Sequence, residues 1–190
     1  MRIYVPATLD ELDAVTHTAD AARWTVAPRT AHAVTKQLEA TLPDEDAESL
    51  EYTAALNAAD DSLALIAGRP DAPHQRVIIT VEVPDAAIGL ASEGGASDGG
   101  ASDDDEPVAS EVQVTSTVEN VAIVCVHVDE VEAASDIADV LAAADEESDA
   151  ETTTEIGEES LTALDEALQR VTDRDLLWYD WSELKSIPRA

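Results

Sequence analysis

Apolar positions along the chain recur with two periods. Where β-branched residues alternate or run together, the pattern predicts strands. These are Arg2–Val5, with Pro6 ending its ladder, a short extended piece at Trp24–Val26, RVIITVEV at 76–83, 112–118, and the most apolar run, NVAIVCVHV at 120–128, expected to be central. Where apolar residues recur every three to four positions, the pattern predicts helices. Thr8 and Glu11 have the spacing of a capping box at the start of a helix to about Thr18. A second helix is expected after Pro28 and Thr30, stopped by Pro43, and a third from about Asp46 to Ala67 with Gly68 as its cap. In that third helix Tyr52, Leu56, Ala59, Leu63 and Ile66 form one apolar stripe, expected to face the core. A further helix is expected over 130–144, with Asp129 at its N-cap and Val131, Ile137, Val140 and Leu141 as contacts. The last helix carries Leu161, Leu164, Leu168 and Val171, and a short aromatic tail follows at 176–187.

The order is strand, helices, three strands, helices. Without regular alternation, a doubly wound dinucleotide fold is disfavoured. The expectation is one α+β domain over 1–190: a mixed or antiparallel sheet of about four strands packed with four to five helices. No internal repeat is present.

Composition trims the core. Of 190 residues 34 are Ala, so the 45% hydrophobic fraction overstates what can be buried well. Charge then separates the chain into regions. There are 42 Asp and Glu against 10 Lys and Arg, a net −32. Between Arg76 and Arg170 there is no Lys or Arg, and residues 77–169 hold 25 of the acids. Two segments there cannot build a core: the Gly/Ser-rich stretch 91–110, with Asp103-Asp104-Asp105-Glu106, expected to be a disordered loop, and the acidic 145–159, expected to be a linker. Such charge excludes unaided binding to nucleic acid or anionic membrane, which carry the same sign. Solubility alone accounts for acidic runs of this kind. Docking to a basic partner and imitation of nucleic-acid charge are the sharper alternatives. Residues 1–12 do not have the apolar core of a signal peptide, no apolar run has the ~20 residues of a membrane span, and a cytoplasmic setting is expected. A single Cys excludes an internal disulfide framework.

No phosphate-binding Gly loop, GxSxG, HExxH or CxxC is present, and no cofactor or metal is implied. The best constellation is Cys125, His127 and Asp129, which alternate along one strand and share a face. Thiolate, imidazole and carboxylate are metal ligands or nucleophilic partners. At about 6.5–7 Å between neighbours they converge poorly on one ion, and a buried Cys, a paired His and a capping Asp account for them better. Trp178, Tyr179 and Trp181 hold three of the six aromatic residues. They read either as closure of the core or as an anchor for a partner. Arg2, His74 and Arg76 are scarce cations, expected to pair with local carboxylates or to meet an anionic ligand.

Three pieces carry a resemblance: MRIYVPATLDEL at 1–12, RVIITVEVPDAAI at 76–88, and VAIVCVHVDEVEAA at 121–134 followed by DLLWYDWSEL at 175–184. Together they resemble a family of small uncharacterised actinobacterial proteins that open with Tyr-Val-Pro-Ala-Thr, carry a His-Val-Asp strand end and close with Leu-Trp-Tyr. The resemblance maps Tyr4 to Thr8, then His127 and Asp129, then Leu177, Trp178 and Tyr179; Cys125 falls outside it, as do the acidic inserts. It implies a bacterial cytosolic protein of one domain and no activity.

The sequence names no reaction. Its leading expectation is a non-catalytic protein-interaction or regulatory module with an unidentified, possibly basic, protein partner; a homo-oligomer is compatible with it. The alternatives are a small enzyme or metal- or ligand-binding protein using His127 and Asp129, and a nucleic-acid charge mimic.

Overall fold

The computed structural model describes residues 1–69, 71–90, 108–151 and 158–190. In chain order the strands are β1 (Arg2–Thr8), β2 (Thr16–His17), β3 (Ala22–Val26), β4 (Arg29–His32), β5 (Arg76–Glu82), β6 (Ile88–Leu90), β7 (Glu111–Val114), β8 (Val118–Asp129) and β9 (Leu176–Asp180). The helices are α1 (Lys36–Thr41), α2 (Ala47–Ala67), α3 (Ala133–Glu151) and α4 (Glu158–Thr172). The domain is α+β, and its nine-stranded sheet is antiparallel throughout, in the order β2-β3-β8-β5-β1-β4-β7-β6, with β9 pairing β8.

The sheet is twice as rich in strands as expected, for local reasons. Pro6 does not end β1; it pairs with Ile78 inside the strand. Met1 and Val83 exchange backbone bonds, so odd residues of β1 bond β5 and even ones face β4. The missing N–H of Pro6 therefore falls on the β4 side, where the only register pair is Tyr4 with His32. The helix expected from Thr8 is a six-residue 3-10 turn, Leu9–Ala14, because Thr16–His17 is drawn into an edge hairpin with β3. Glu11 still caps the turn, accepting from the Thr8 backbone N–H at 3.1 Å. The helix expected after Thr30 is instead the strand β4 followed by the short α1, capped by Thr35. The strand expected over 112–118 divides: β7 ends at Val114 and Val118 opens β8.

α2 has the predicted ends, with the Asp46 side chain accepting from the Ser49 N–H. Its buried face matches the expected stripe at Ala59 and Ile66, with Leu63 packed on the α3–α4 cluster, but not at the start of the helix. Leu50, Ala54, Ala58, Ala59, Ser62 and Ile66 are buried, while Tyr52 is 60% and Leu56 39% exposed. A helix lying on a sheet approaches closely where its side chains are small, so the Ala-rich face goes inward and Tyr52 and Leu56 turn to the flank. Leu50, Ala54, Ala58 and Ala59 cover Tyr4 and Ile78. The other face of the sheet holds the main core, including Ile3, Val5, Val26, Ile79, Val81, Val112, Val126 and Val128. Among the described residues, strands and short turns supply that cluster, with Leu184 and Ile187 from the tail packed into it.

α3 and α4 pair through a third cluster, Ile137, Val140, Ala167 and Val171, which rests on Ile66 at the end of α2. α3 begins at Ala133, so Asp129 ends a strand and caps no helix. α3 runs to Glu151 and α4 starts at Glu158, so both ends of the expected linker are helical and residues 152–157 lie outside the described residues. The expected loop lies outside them over 91–107; Ala109 and Ser110 at its end are fixed to α1 and β4 by hydrogen bonds from Thr35 Oγ1 and the Ala33 N–H. No helix among the described residues is long and apolar enough to cross a membrane.

Candidate functional site

β8 decides where the predicted residues point. Val81 pairs with Ile123 and Thr80 with Cys125, leaving Val124 as an extra residue. This bulge shifts the alternation by one position. Val121 and Ile123 before it, and Val126 and Val128 after it, all reach the main core. Cys125, His127 and Asp129 therefore share the opposite face, the one α2 lies on. Two rows of neighbours cross this face: Tyr4, Thr80, Cys125 and Asp180, then Ile78, His127 and Trp178.

The three polar residues of β8 do not act together. Asp129 is buried and committed to Arg76: Oδ2 accepts from the Arg76 backbone N–H (2.8 Å) and Nε (2.9 Å), and Oδ1 from Nη2 (2.8 Å). Gln75 Nε2 donates to the Asp129 carbonyl, and Arg76 Nη2 to that of Arg174. This ties the start of β5, the end of β8 and the entry to β9. Cys125 is a buried thiol. His127 is half-buried, its Nδ1 enclosed without a partner. No three His, Cys, Asp or Glu side chains among the described residues are grouped to hold a metal.

Burial lowers the His127 pKa below its ordinary 6.5. The folded state then binds fewer protons than the unfolded chain near that pH, so this group's contribution to stability is present above 6.5 and is lost as pH falls through the folded value. An NMR titration of the His127 ring is expected to give a midpoint below 6.5; a midpoint at or above it would mean the ring is solvated or paired.

The aromatic tail splits by face. Tyr179 and Trp181 pack against the main core, whereas Trp178, beside His127, is 58% exposed. Asp180 turns the chain after them, accepting from the Ser182 N–H and hydroxyl, which hold its carboxyl below the usual range. Arg2 is exposed between Glu51 and Glu82. Burial, then the neighbouring Glu51, pushes the Tyr4 phenol up.

One polar group was not anticipated. His32 is 2% exposed; its Nδ1 lies 2.8 Å from Ser110 Oγ and its Nε2 3.1 Å from Asp61 Oδ2. Asn57 Nδ2 donates to the same Ser110 oxygen at 2.8 Å. That leaves the hydroxyl proton for Nδ1 and the imidazole proton on Nε2 for Asp61. The residue types match a hydrolytic triad, but the access is reversed. Ser110 is 0% exposed, whereas Asp61 opens on a cleft of about 430 Å³ beside Pro6, Arg29 and Leu65. Arg29 in that cleft is held by Glu11 and the Pro6 carbonyl, and lies over the Trp24 ring. No acyl group can reach a nucleophile enclosed in this way. A fluorophosphonate probe is accordingly expected to leave Ser110 unlabelled in the folded protein; labelling there would restore the catalytic reading. No local pattern marks this cluster, since His32 and Ser110 lie 78 positions apart and meet through the pairing of β4 with β7.

A family model matches residues 1–187, nearly the whole chain. The chain belongs to the family of unknown function DUF6912. No curated protein and no solved structure matches it. The two polar clusters of the DUF6912 chain and its exposed Trp178 come from this structure alone.

Proposed function

We propose that this DUF6912 protein is a non-catalytic interaction module of the actinobacterial cytosol that binds a protein partner through the open β8–β9 end of the α2 face. The observation that carries this reading is Trp178, a large aromatic side chain 58% exposed on a paired strand. Its surroundings support it. The extensive helix contacts on this face are those of α2 with β1, β5 and β4; no described helix covers β8 or β9 to that extent. Tyr52 and Leu56 extend an exposed apolar flank along α2. A ligand site at His127 and Asp129 is less well supported, because Arg76 occupies both oxygens of Asp129. Charge mimicry needs acids in an ordered array; the Gly- and Ser-rich setting of the run 103–106 counts against it, and that run lies outside the described residues.

The test replaces Trp178 with a photo-crosslinking amino acid in the full chain and, separately, places the same group at Gln113 on β7. A discrete adduct from position 178 and none from 113, formed in cell extract and competed by unlabelled protein, is expected. Equal adducts from both positions, or none from 178, would overturn this reading.

A further inference from the structure

We infer that the surface between α2 and β9 receives a basic amphipathic helix from the partner, laid alongside α2. This rests on the interaction reading above and names the partner's chemistry. α2 lies over β1 and β5, and the register carries the face outward through His127 to Trp178. Two strand spacings put Trp178 about 10 Å from Ile78, close to the 8–10 Å at which helices pack side by side. A helix laid about 8–10 Å from α2 would therefore run over the shelf of β8 and β9. The floor there is the half-buried His127. One wall is Trp178; the other is the flank of α2, where Tyr52 and Leu56 continue toward the start of the helix the line that Leu63 presents to α3 and α4. That hairpin closes the far end, at Ile66.

Apolar side chains on one stripe of the incoming helix, three to four residues apart, suit these walls. Charge selects the rest. Glu51, Glu82 and Asp180 border the shelf, and the neighbouring cation, Arg2, is engaged by Glu51 and Glu82. Lys or Arg flanking the apolar stripe would meet these acids; Asp or Glu would be repelled.

The probe is a fluorescent Leu/Lys peptide of about 18 residues, long enough to be helical when bound, with Leu on one stripe. A peptide of the same composition in non-amphipathic order controls for plain attraction to a net charge of −32. Anisotropy at fixed salt is expected to show the amphipathic peptide binding at least about tenfold tighter, and Trp178→Asp or Leu56→Asp removing that advantage. Leu177→Asp, on the same strand but its opposite face and 42% exposed, is expected to leave it intact. Circular dichroism checks that each variant folds. Equal binding of both peptides, or equal damage from Leu177→Asp and Trp178→Asp, overturns the inference. If the crosslinker at 178 captures a partner that the amphipathic peptide does not displace, the helix is wrong and the docking face stands. If position 178 captures nothing, the face itself is wrong.

Discussion

Asp129→Ala is expected to cost about 3–5 kcal/mol of folding stability, the usual result of removing one member of a buried ion pair. The penalty arises from what is left behind. Arg76 is 3% exposed, and its guanidinium and backbone N–H would lose three acceptor contacts at once. A domain of this size has about 5–15 kcal/mol in total, so the variant would stand near the edge of folding at 25 °C. Urea denaturation at neutral pH measures it, with the midpoint falling and the slope unchanged. The double variant Arg76→Met with Asp129→Leu separates the two contributions. Replacing a buried pair by apolar residues of similar volume is often neutral, so the double variant is expected to recover most of the loss. A single-variant loss below about 1 kcal/mol would show that water reaches the pair.

This pair also marks a limit of the sequence. Arg76 and Asp129 were each legible as polar residues at strand ends, but not as partners. Their meeting depends on the β5–β8 register and its bulge at Val124, set by packing across both faces. β5, β8 and the two ends of α2 were legible because their signals are local: β-branched runs, Asp46 as cap and Gly68 as stop. β4 was not. RTAH is too short to show a period, and its pairing with β1 and β7 makes it a strand. The stripe read on α2 held at Ala59 and Ile66 but failed at Tyr52 and Leu56, because periodicity weights large side chains, whereas the helix lies against Tyr4 and Ile78 through Ala54, Ala58 and Ala59. That error exposed the candidate surface: Tyr52 and Leu56, expected in the core, lie on the flank left open. Of the predicted site residues, Trp178 carries the proposal, with His127 beside it. Asp129 and Arg2 meet oppositely charged neighbours, and Tyr179 and Trp181 pack against the core.

The His32 cluster gives the second large effect and tests the non-catalytic reading from another side. His32→Ala is expected to cost about 2–4 kcal/mol, from the cavity a buried ring leaves and from the polar atoms it strands. Ser110 Oγ would keep Asn57 but lose its acceptor, and Asp61 would lose its contact to Nε2. Ser110→Ala removes one hydroxyl and is expected to cost less, about 1–3 kcal/mol. The two losses should not add, because both break one network; the double variant is expected to cost less than their sum by at least about 0.5 kcal/mol. Hydrogen exchange locates the effect: the Ala33 N–H, which donates to the Ser110 carbonyl, should lose protection before the β1–β5 ladder does. The direction separates two meanings of the same residues. Groups held for catalysis are often kept at some cost to stability, so removing them is commonly neutral or stabilising. Groups that fasten β4 and the entry to β7 onto α2 must lose stability when cut. If both substitutions left stability within about 0.5 kcal/mol of the parent, the cluster would be no fastening and the catalytic reading would return.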